Sequence, residues 1–456
     1  MLTYLLILLS KPVSPKELVT KVQKSCHLLS KITHRGIKNS MFIIRDKIII
    51  FVKKHVMHIG ILKETKNPVD RRVAVTPEAA LDLVRQYPEF SITVQSSDIR
   101  CYTDEEYRKL GIRVVDDIGD CDLLVGVKEV SVTSLMPGKT YMFFSHTAKK
   151  QPYNQKLLRE IVDKKITLVD YEYLTDIDNV RLVAFGRWAG IVGAYNGLRG
   201  YGIRFGLYDL KPAHQCHDLE EMMSELKKVK LPPVKILVTG GGRVAGGAME
   251  TLSPLGYSKV EPAGFLENKY NEPVICQLEP WDYVVRKDGE GFDLQHFFYY
   301  PEEYDSAFLP FSKVTDLFIP CHYWDPRSPV FLNEDDYRHP DFNISVIADV
   351  SCDINKPIAS TIRASTINEP FYGYNPETGK EGDPFDISNI TIMAVDNLPG
   401  ELPRDASVDF SGKLVESVFP AFLNDRDGIL ERATIVREGG LTRNFSYLDD
   451  FLAGRE

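Results

Sequence analysis

The feature that most constrains this chain is a strand–turn–helix pattern near its middle. Val234 to Val238 is an apolar, β-branched run, and Gly240-Gly241-Gly242-Arg243-Val244-Ala245 follows before a helical stretch. Gly240, Gly242 and Ala245 fit G-x-G-x-x-G/A, in which glycine permits a tight turn and close approach of a pyrophosphate to a helix N-terminus. The flanking strand and helix set it apart from a stray match. The bland alternative is a plain strand-to-helix turn. Glu261 is the first acid about twenty residues on, the distance at which such folds place a ribose-binding carboxylate. In that role it would favour NAD over NADP; as a solvated surface acid, with Pro262 directly behind it, it would do neither.

The rest of the chain from Met57 alternates apolar runs with helical stretches. Strands are expected at 58–62, 92–95, 122–127, 140–144 and 166–170, and later at 316–320, 345–350 and 390–395. Helices are expected over 77–87, with Thr76 as cap, and over 151–162. Residues 184–200 are rich in small side chains and read as a helix packed tightly on a neighbour. The segment 264–312 is aromatic and acidic and reads as an insertion, and 397–456 as helical. Alternating strands and helices predict an α/β protein of two Rossmann-like domains, parallel sheets flanked by helices with a cleft between them. The expected partition is 57–185 as substrate domain, 186–396 as dinucleotide-binding domain and 397–456 returning to the first.

Charge excludes one class of partner. The net charge is −9, yet residues 1–56 carry +9, so the remainder carries −18. An acidic body argues against nucleic acid, which needs a basic face. Neither apolar run of 1–56 reaches the roughly 18–20 residues that span a bilayer, so no membrane is expected. This stretch is expected to be an extension outside the folded body, with the working protein starting at Met57. Seven widely spaced cysteines without a CxxC pair support neither a disulfide scaffold nor a zinc cluster, and a cytoplasmic location is the plain expectation.

The first domain ends its strands on charged residues. Lys128 follows Leu123 to Val127, His146 follows Tyr141 to Ser145, and Glu172 closes Thr167 to Tyr171, with Arg181 nine residues on. Arg72 lies in the loop between the first strand and the Thr76 cap. Lys128 is either a desolvated amine or a surface partner of Glu129, and His146 an acid/base or a satisfied core residue. Arg72 is either a carboxylate fork or a surface arginine. Taken together they sit where open α/β sheets bind ligands, beyond the strands' carboxyl ends.

These stretches, with Lys63-Glu64-Thr65, Arg187-Trp188-Ala189-Gly190, Ala348 to Asp353, Asp396 to Pro399 and Leu402 to Ser407, resemble the alanine dehydrogenase/transhydrogenase superfamily and, within it, the saccharopine dehydrogenase group. The resemblance covers nearly all of 57–456. It implies an oxidoreductase in which Lys128 and His146 are the acid/base pair and Arg72, Glu172 and Arg181 bind substrate. It implies cofactor contacts from Gly240, Gly242, Arg243, Ala245, Glu261, Asp349, Asp396 and Leu398, and no metal. The implied reaction is NAD-dependent cleavage of saccharopine to L-lysine and 2-oxoglutarate. NADPH-dependent saccharopine formation by a lysine–ketoglutarate reductase stands as the alternative, because 139–147 and 187–190 look closer to that enzyme. Alanine dehydrogenase and a non-enzymatic NAD-binding protein are the remaining alternatives. The expected assembly is a monomer or small homo-oligomer.

Overall fold

A computed structural model describes residues 56–455 and, before them, the strands Tyr4–Leu6, Asn39–Ile44 and Lys47–Lys53. Those three pair antiparallel in a small sheet. The expectation that 1–56 is an extension otherwise falls outside the described residues.

The first large sheet begins with β1 (Met57–Ile61), β2 (Phe90–Gln95), β3 (Arg113–Val115), β4 (Leu123–Lys128), β5 (Thr140–Phe144) and β6 (Thr167–Asp170). All six are mutually parallel. Leu123 to Val127 are buried in succession, the continuous apolar reading of a strand covered on both faces. Helix α1 (Pro77–Gln86) starts where Thr76 accepts a hydrogen bond from the Ala79 amide at 3.2 Å, and α2 (Pro152–Asp163) crosses between β5 and β6.

Helix α3 (Gly186–Arg204) leads to the second large sheet, whose first strand β7 (Lys235–Thr239) runs through the glycine turn into α4 (Arg243–Leu252). The small residue Gly190 of α3 answers to α4. A Cβ placed at Gly190 would lie 1.8 Å from the Val244 carbonyl, and one at Gly247 2.0 Å from the Arg187 carbonyl. The backbones of α3 and α4 therefore touch, and any side chain at either position drives them apart.

After α4 the chain runs to the sheet edge as β8 (Ser258–Lys259) and returns as β9 (Val274–Leu278), which pairs directly with β7. Beyond β7 follow β10 (Leu317–Pro320), β11 (Val346–Ala348), the antiparallel pair β12 (Phe371–Asn375) and β13 (Lys380–Gly382), and β14 (Ile390–Met393), in the spatial order β8-β9-β7-β10-β11-β14-β12-β13. The reading of 264–312 as an insertion needs correction, because β9 within it is a sheet strand; only the hairpin of Val284–Arg286 with Tyr304–Ser306 and its short helices stand apart. The last segment is not all helix either. After α5 (Pro403–Lys413), β15 (Thr434–Arg437) pairs antiparallel with β6 and β16 (Gly440–Leu441) antiparallel with β15, extending the first sheet. Strands of two to five residues leave too little periodicity to read.

The cores follow the sheets. One apolar cluster joins residues 59–183 with Phe410 to Phe451, and two others flank the second sheet. Among the described residues no helix is long and apolar enough to cross a membrane.

Candidate active site

The carboxyl ends of β4, β5 and β6 lie side by side, and their last residues set the site. β4 and β5 slip register between Val125 and Lys128, which brings Lys128 opposite Phe144. Glu64, just past β1, holds that end of β4: Oε1 accepts from the Val127 amide at 2.6 Å and Oε2 from the Lys128 amide at 3.0 Å. Burial pushes the Glu64 carboxyl up to about 7 against those two bonds. Burial also lowers the Lys128 ammonium below the ordinary lysine value, and the Arg72 cation adds to the effect.

His146 sits two residues beyond β5 with a left-handed backbone, φ 54°, a sparsely populated conformation that costs energy unless its surroundings enforce it. Asp170, at the end of β6, supplies the enforcement: its Oδ2 takes the Ser145 amide at 3.0 Å and the Ser145 hydroxyl, and Oδ1 takes the Glu172 amide at 2.8 Å. One buried carboxylate thus fixes the turns that carry His146 and Glu172. Lys149 closes the group, with Nζ 2.8 Å from Glu172 Oε1 and 3.3 Å from His146 Nδ1. His146 Nδ1 lies 3.7 Å from the same oxygen. Burial opposes ionisation of Glu172, but His146 and Lys149 together hold its carboxyl down to about 2.

Arg72 is 2% exposed, and its guanidinium is already committed. Nε and Nη2 fork onto Asp70 at 3.0 and 2.5 Å, Nη2 also reaches Asn397 Oδ1 at 3.0 Å, and the Phe185 ring lies 4.2 Å from its central carbon. Arg72 therefore meets any ligand as half of an ion pair, with Asn397 tying it to the returning segment. Arg181 is exposed, and its carbonyl accepts from Arg243, the first residue of α4. That contact joins the glycine turn to the segment between β6 and α3.

The glycine turn opens onto a cavity of about 590 Å³, lined among others by Gly240, Gly241, Gly242, Arg243, His322 and Ser351. Gly240 takes φ +100°, and a Cβ there would meet the Cys321 carbonyl at 2.9 Å, so only glycine fits the turn. Around Gly242 nothing stands within 4 Å of a Cβ position. An open backbone at the N-terminus of a ten-residue helix suits a pyrophosphate. Ala245 is buried beneath it.

The four other expected cofactor contacts are Glu261, Asp349, Asp396 and Leu398. Glu261 is exposed and caps a short helix after the edge strand β8. The strand beside β7 is β9, whose Leu278 carbonyl accepts from the Gly240 amide at 2.8 Å, and the acid that follows it is Glu279. A Cβ on Gly241 would lie 2.1 Å from Glu279 Oε2, so this carboxylate rests on the turn itself. Lys269 lines a cavity with Val234 and Lys235 at the opposite end of β7, whereas Lys259 bonds Gln277 Oε1 at 3.1 Å. Asp349 is fully buried, and its oxygens are taken by the Ser351 and Thr361 hydroxyls at 2.6 Å each and by the Ser351 and Cys352 amides. It orders the loop that carries Ser351 and Asp353 to the cavity. Asp396 is exposed while its neighbour Asn397 reaches Arg72; Leu398 packs by side chain beside Gly193 of α3.

Comparison with known proteins agrees with this architecture. Residues 60–192 match the family model of the alanine dehydrogenase/PNT N-terminal domain. An alpha-aminoadipic semialdehyde synthase of Arabidopsis thaliana is 30% identical over 86% of this chain and 41% of its own length, and the Bos taurus protein of that name is 28% identical over 88% and 48%. The chain thus spans about half the length of those relatives. A saccharopine dehydrogenase [NAD(+), L-lysine-forming] of Neurospora crassa is 26% identical over 81% of this chain and 91% of its own. Among solved structures an L-alanine dehydrogenase aligns with TM-score 0.60 at 16% identity, over 88% of this chain and all of that one, and a transhydrogenase from Sinorhizobium meliloti with 0.51 at 14%, over 84% and 98%. The two largely parallel sheets thus share the fold of those two solved structures, and residues 60–192 match the alanine dehydrogenase/PNT N-terminal domain.

Proposed function

We propose that this protein is a nicotinamide-dependent dehydrogenase of the saccharopine type, which oxidises saccharopine to L-lysine and 2-oxoglutarate. The observation that carries the reading is the cluster of Lys128, His146, Lys149 and Glu172 at three adjacent strand ends, in a fold whose other half presents a glycine turn. When bound, NAD supplies the hydride acceptor. Gly240, Gly242 and Arg243 would hold its pyrophosphate and Glu279 a ribose diol.

The chain's own residues handle protons and charge. A secondary amine must lose a proton as its neighbouring carbon is oxidised. Lys128, half-buried and with its proton affinity lowered by burial, is the strand-end amine suited to accept it. The resulting imine needs water activated and the lysine amine reprotonated, a task for His146. Glu172, ionised over the whole working range, steadies an imidazolium there without competing for the proton. The Arg72–Asp70 pair and Arg181 orient substrate carboxylates.

A second reading, the opposite direction, rests on residues 139–147 and 187–190, which look closer to a lysine–ketoglutarate reductase, and on higher identity to the alpha-aminoadipic semialdehyde synthase than to the dehydrogenase, 30% against 26%. Spectrophotometric assay of saccharopine with NAD and with NADP, beside lysine plus 2-oxoglutarate with each reduced form, separates the two. NADH formation from saccharopine as the most efficient reaction is the expected result. Activity confined to NADPH and saccharopine formation would replace it with the reductase reading, and inactivity in all four mixtures would overturn both.

A further inference from the structure

The wall of the glycine-turn cavity carries a histidine that no other feature of the molecule uses. His322 lies two residues beyond β10 and is 5% exposed. Its ring stacks on Phe331 with centroids 4.0 Å apart and planes 11° from parallel. Nδ1 lies 2.7 Å from the hydroxyl of Thr239, the last residue of β7. Nε2 is buried and has no hydrogen-bond partner among the described residues. The His322 backbone abuts the turn, since its Cα lies 3.1 Å from a Cβ placed on Gly240.

The proton count fixes the tautomer. With no carboxylate beside it, burial pushes the imidazole down to about 3, so it is neutral in use. If Nδ1 carried the proton and donated to Thr239, both the Thr239 hydroxyl proton and the Nε2 lone pair would be left without partners. If the Thr239 hydroxyl donates to Nδ1, only the Nε2–H is left over. A buried donor without an acceptor is costly, so the arrangement with one orphan is preferred over that with two. Nε2 is then a neutral donor on a residue that lines the cavity and whose backbone abuts the first glycine.

We propose that His322 Nε2–H is a binding contact for an acceptor oxygen in the pyrophosphate–ribose part of the dinucleotide. Thr239 sets the tautomer, and the stack on Phe331 sets the ring plane. The proposal rests on the reading of the glycine turn as a dinucleotide site. It is independent of which substrate is oxidised and of which residue carries the acid/base chemistry. Because the donor is uncharged, its contribution does not change between about pH 6 and 9.

The test is equilibrium binding of NADH and NADPH to the full chain by titration calorimetry, without turnover. His322→Gln places an amide nitrogen where Nε2 stood, His322→Asn places one where Nδ1 stood, and His322→Leu removes both. The Asn and Leu variants are expected to weaken the tighter dinucleotide at least tenfold, the scale of one hydrogen bond to a charged acceptor, with Gln within about threefold of the parent. Titrating ADP and adenosine alongside distinguishes the sources. A Gln-to-Asn difference with ADP alone assigns the phosphates, and one with both ligands assigns the ribose. Equal affinity in all variants would overturn the proposal, and so would equal loss in all three, since the stack on Phe331 would then be what matters. If the parent chain binds neither dinucleotide, the underlying reading of the glycine turn falls, a result distinct from either.

Discussion

Asp70 and Arg72 show what a single pair of residues does here. Both are 2% exposed and joined by a two-point fork, the geometry that repays the desolvation of two charges. Asp70→Asn leaves a buried guanidinium without its counter-charge and is expected to lower stability by about 3–5 kcal/mol; denaturant unfolding that shows less than about 1 kcal/mol would contradict it. The pH dependence has a definite sign. Burial alone would raise the Asp70 carboxyl, but Arg72 holds it down to about 2 from 3.8. The folded value lies below the unfolded one, so the stabilisation is complete above about pH 4 and is lost as pH falls from about 4 to about 2. Acid unfolding of the Asn variant should lack that component. The charged strand ends were legible as single residues because each directly closes an apolar run. Their partners were not: that Glu64 holds the amides of residues 127–128, or that Asn397 meets Arg72, depends on contacts between segments far apart in sequence.

Strand order decides which acid serves the glycine turn. Counting along the chain selects Glu261, but β8 is two residues long at the sheet edge and β9 takes the place beside β7. Local pattern reveals that a strand exists, not which neighbour it pairs with, and so Glu279 stayed hidden in a segment that reads as an insertion. A carboxylate there repels a 2′-phosphate. Like charges about 4 Å apart cost roughly 4 kcal/mol near a protein surface, less whatever Lys259 offsets. Glu279→Gln should therefore raise NADP affinity by about ten- to a hundredfold relative to NAD, and Glu261→Gln should leave the ratio unchanged. The reverse pattern in steady-state kinetics would return the role to Glu261. The crossing of α3 and α4 gives a second element-scale expectation. Gly190→Ala forces a methyl into the Val244 carbonyl, and the Tm of the variant should drop by several degrees, the scale of a 1–3 kcal/mol overpacking cost; an unchanged Tm would show that the helices can separate freely.

The described residues hold two large sheets, and the chain passes between them twice. The alternation of strand and helix made the two-sheet fold legible, and the short closing strands β15 and β16 did not show because two to four residues carry no period. We propose that 57–185 and 397–456 form one domain and 186–396 the other. Limited proteolysis should then release 186–396 as a stable piece while 57–185 alone is degraded, and a stable 57–185 fragment would contradict the division. Such a division separates binding from proton transfer, because the glycine turn belongs to one half and Lys128 and His146 to the other. The most direct test uses Lys128→Met and His146→Gln, with saccharopine turnover and dinucleotide affinity measured on the same preparations. Each variant is expected to lose about 10²-fold in kcat, the scale of general acid/base catalysis, while Kd for the dinucleotide stays within about twofold of the parent. Unchanged kcat in both variants would contradict the assignment of the strand-end pair as the acid and base of the reaction.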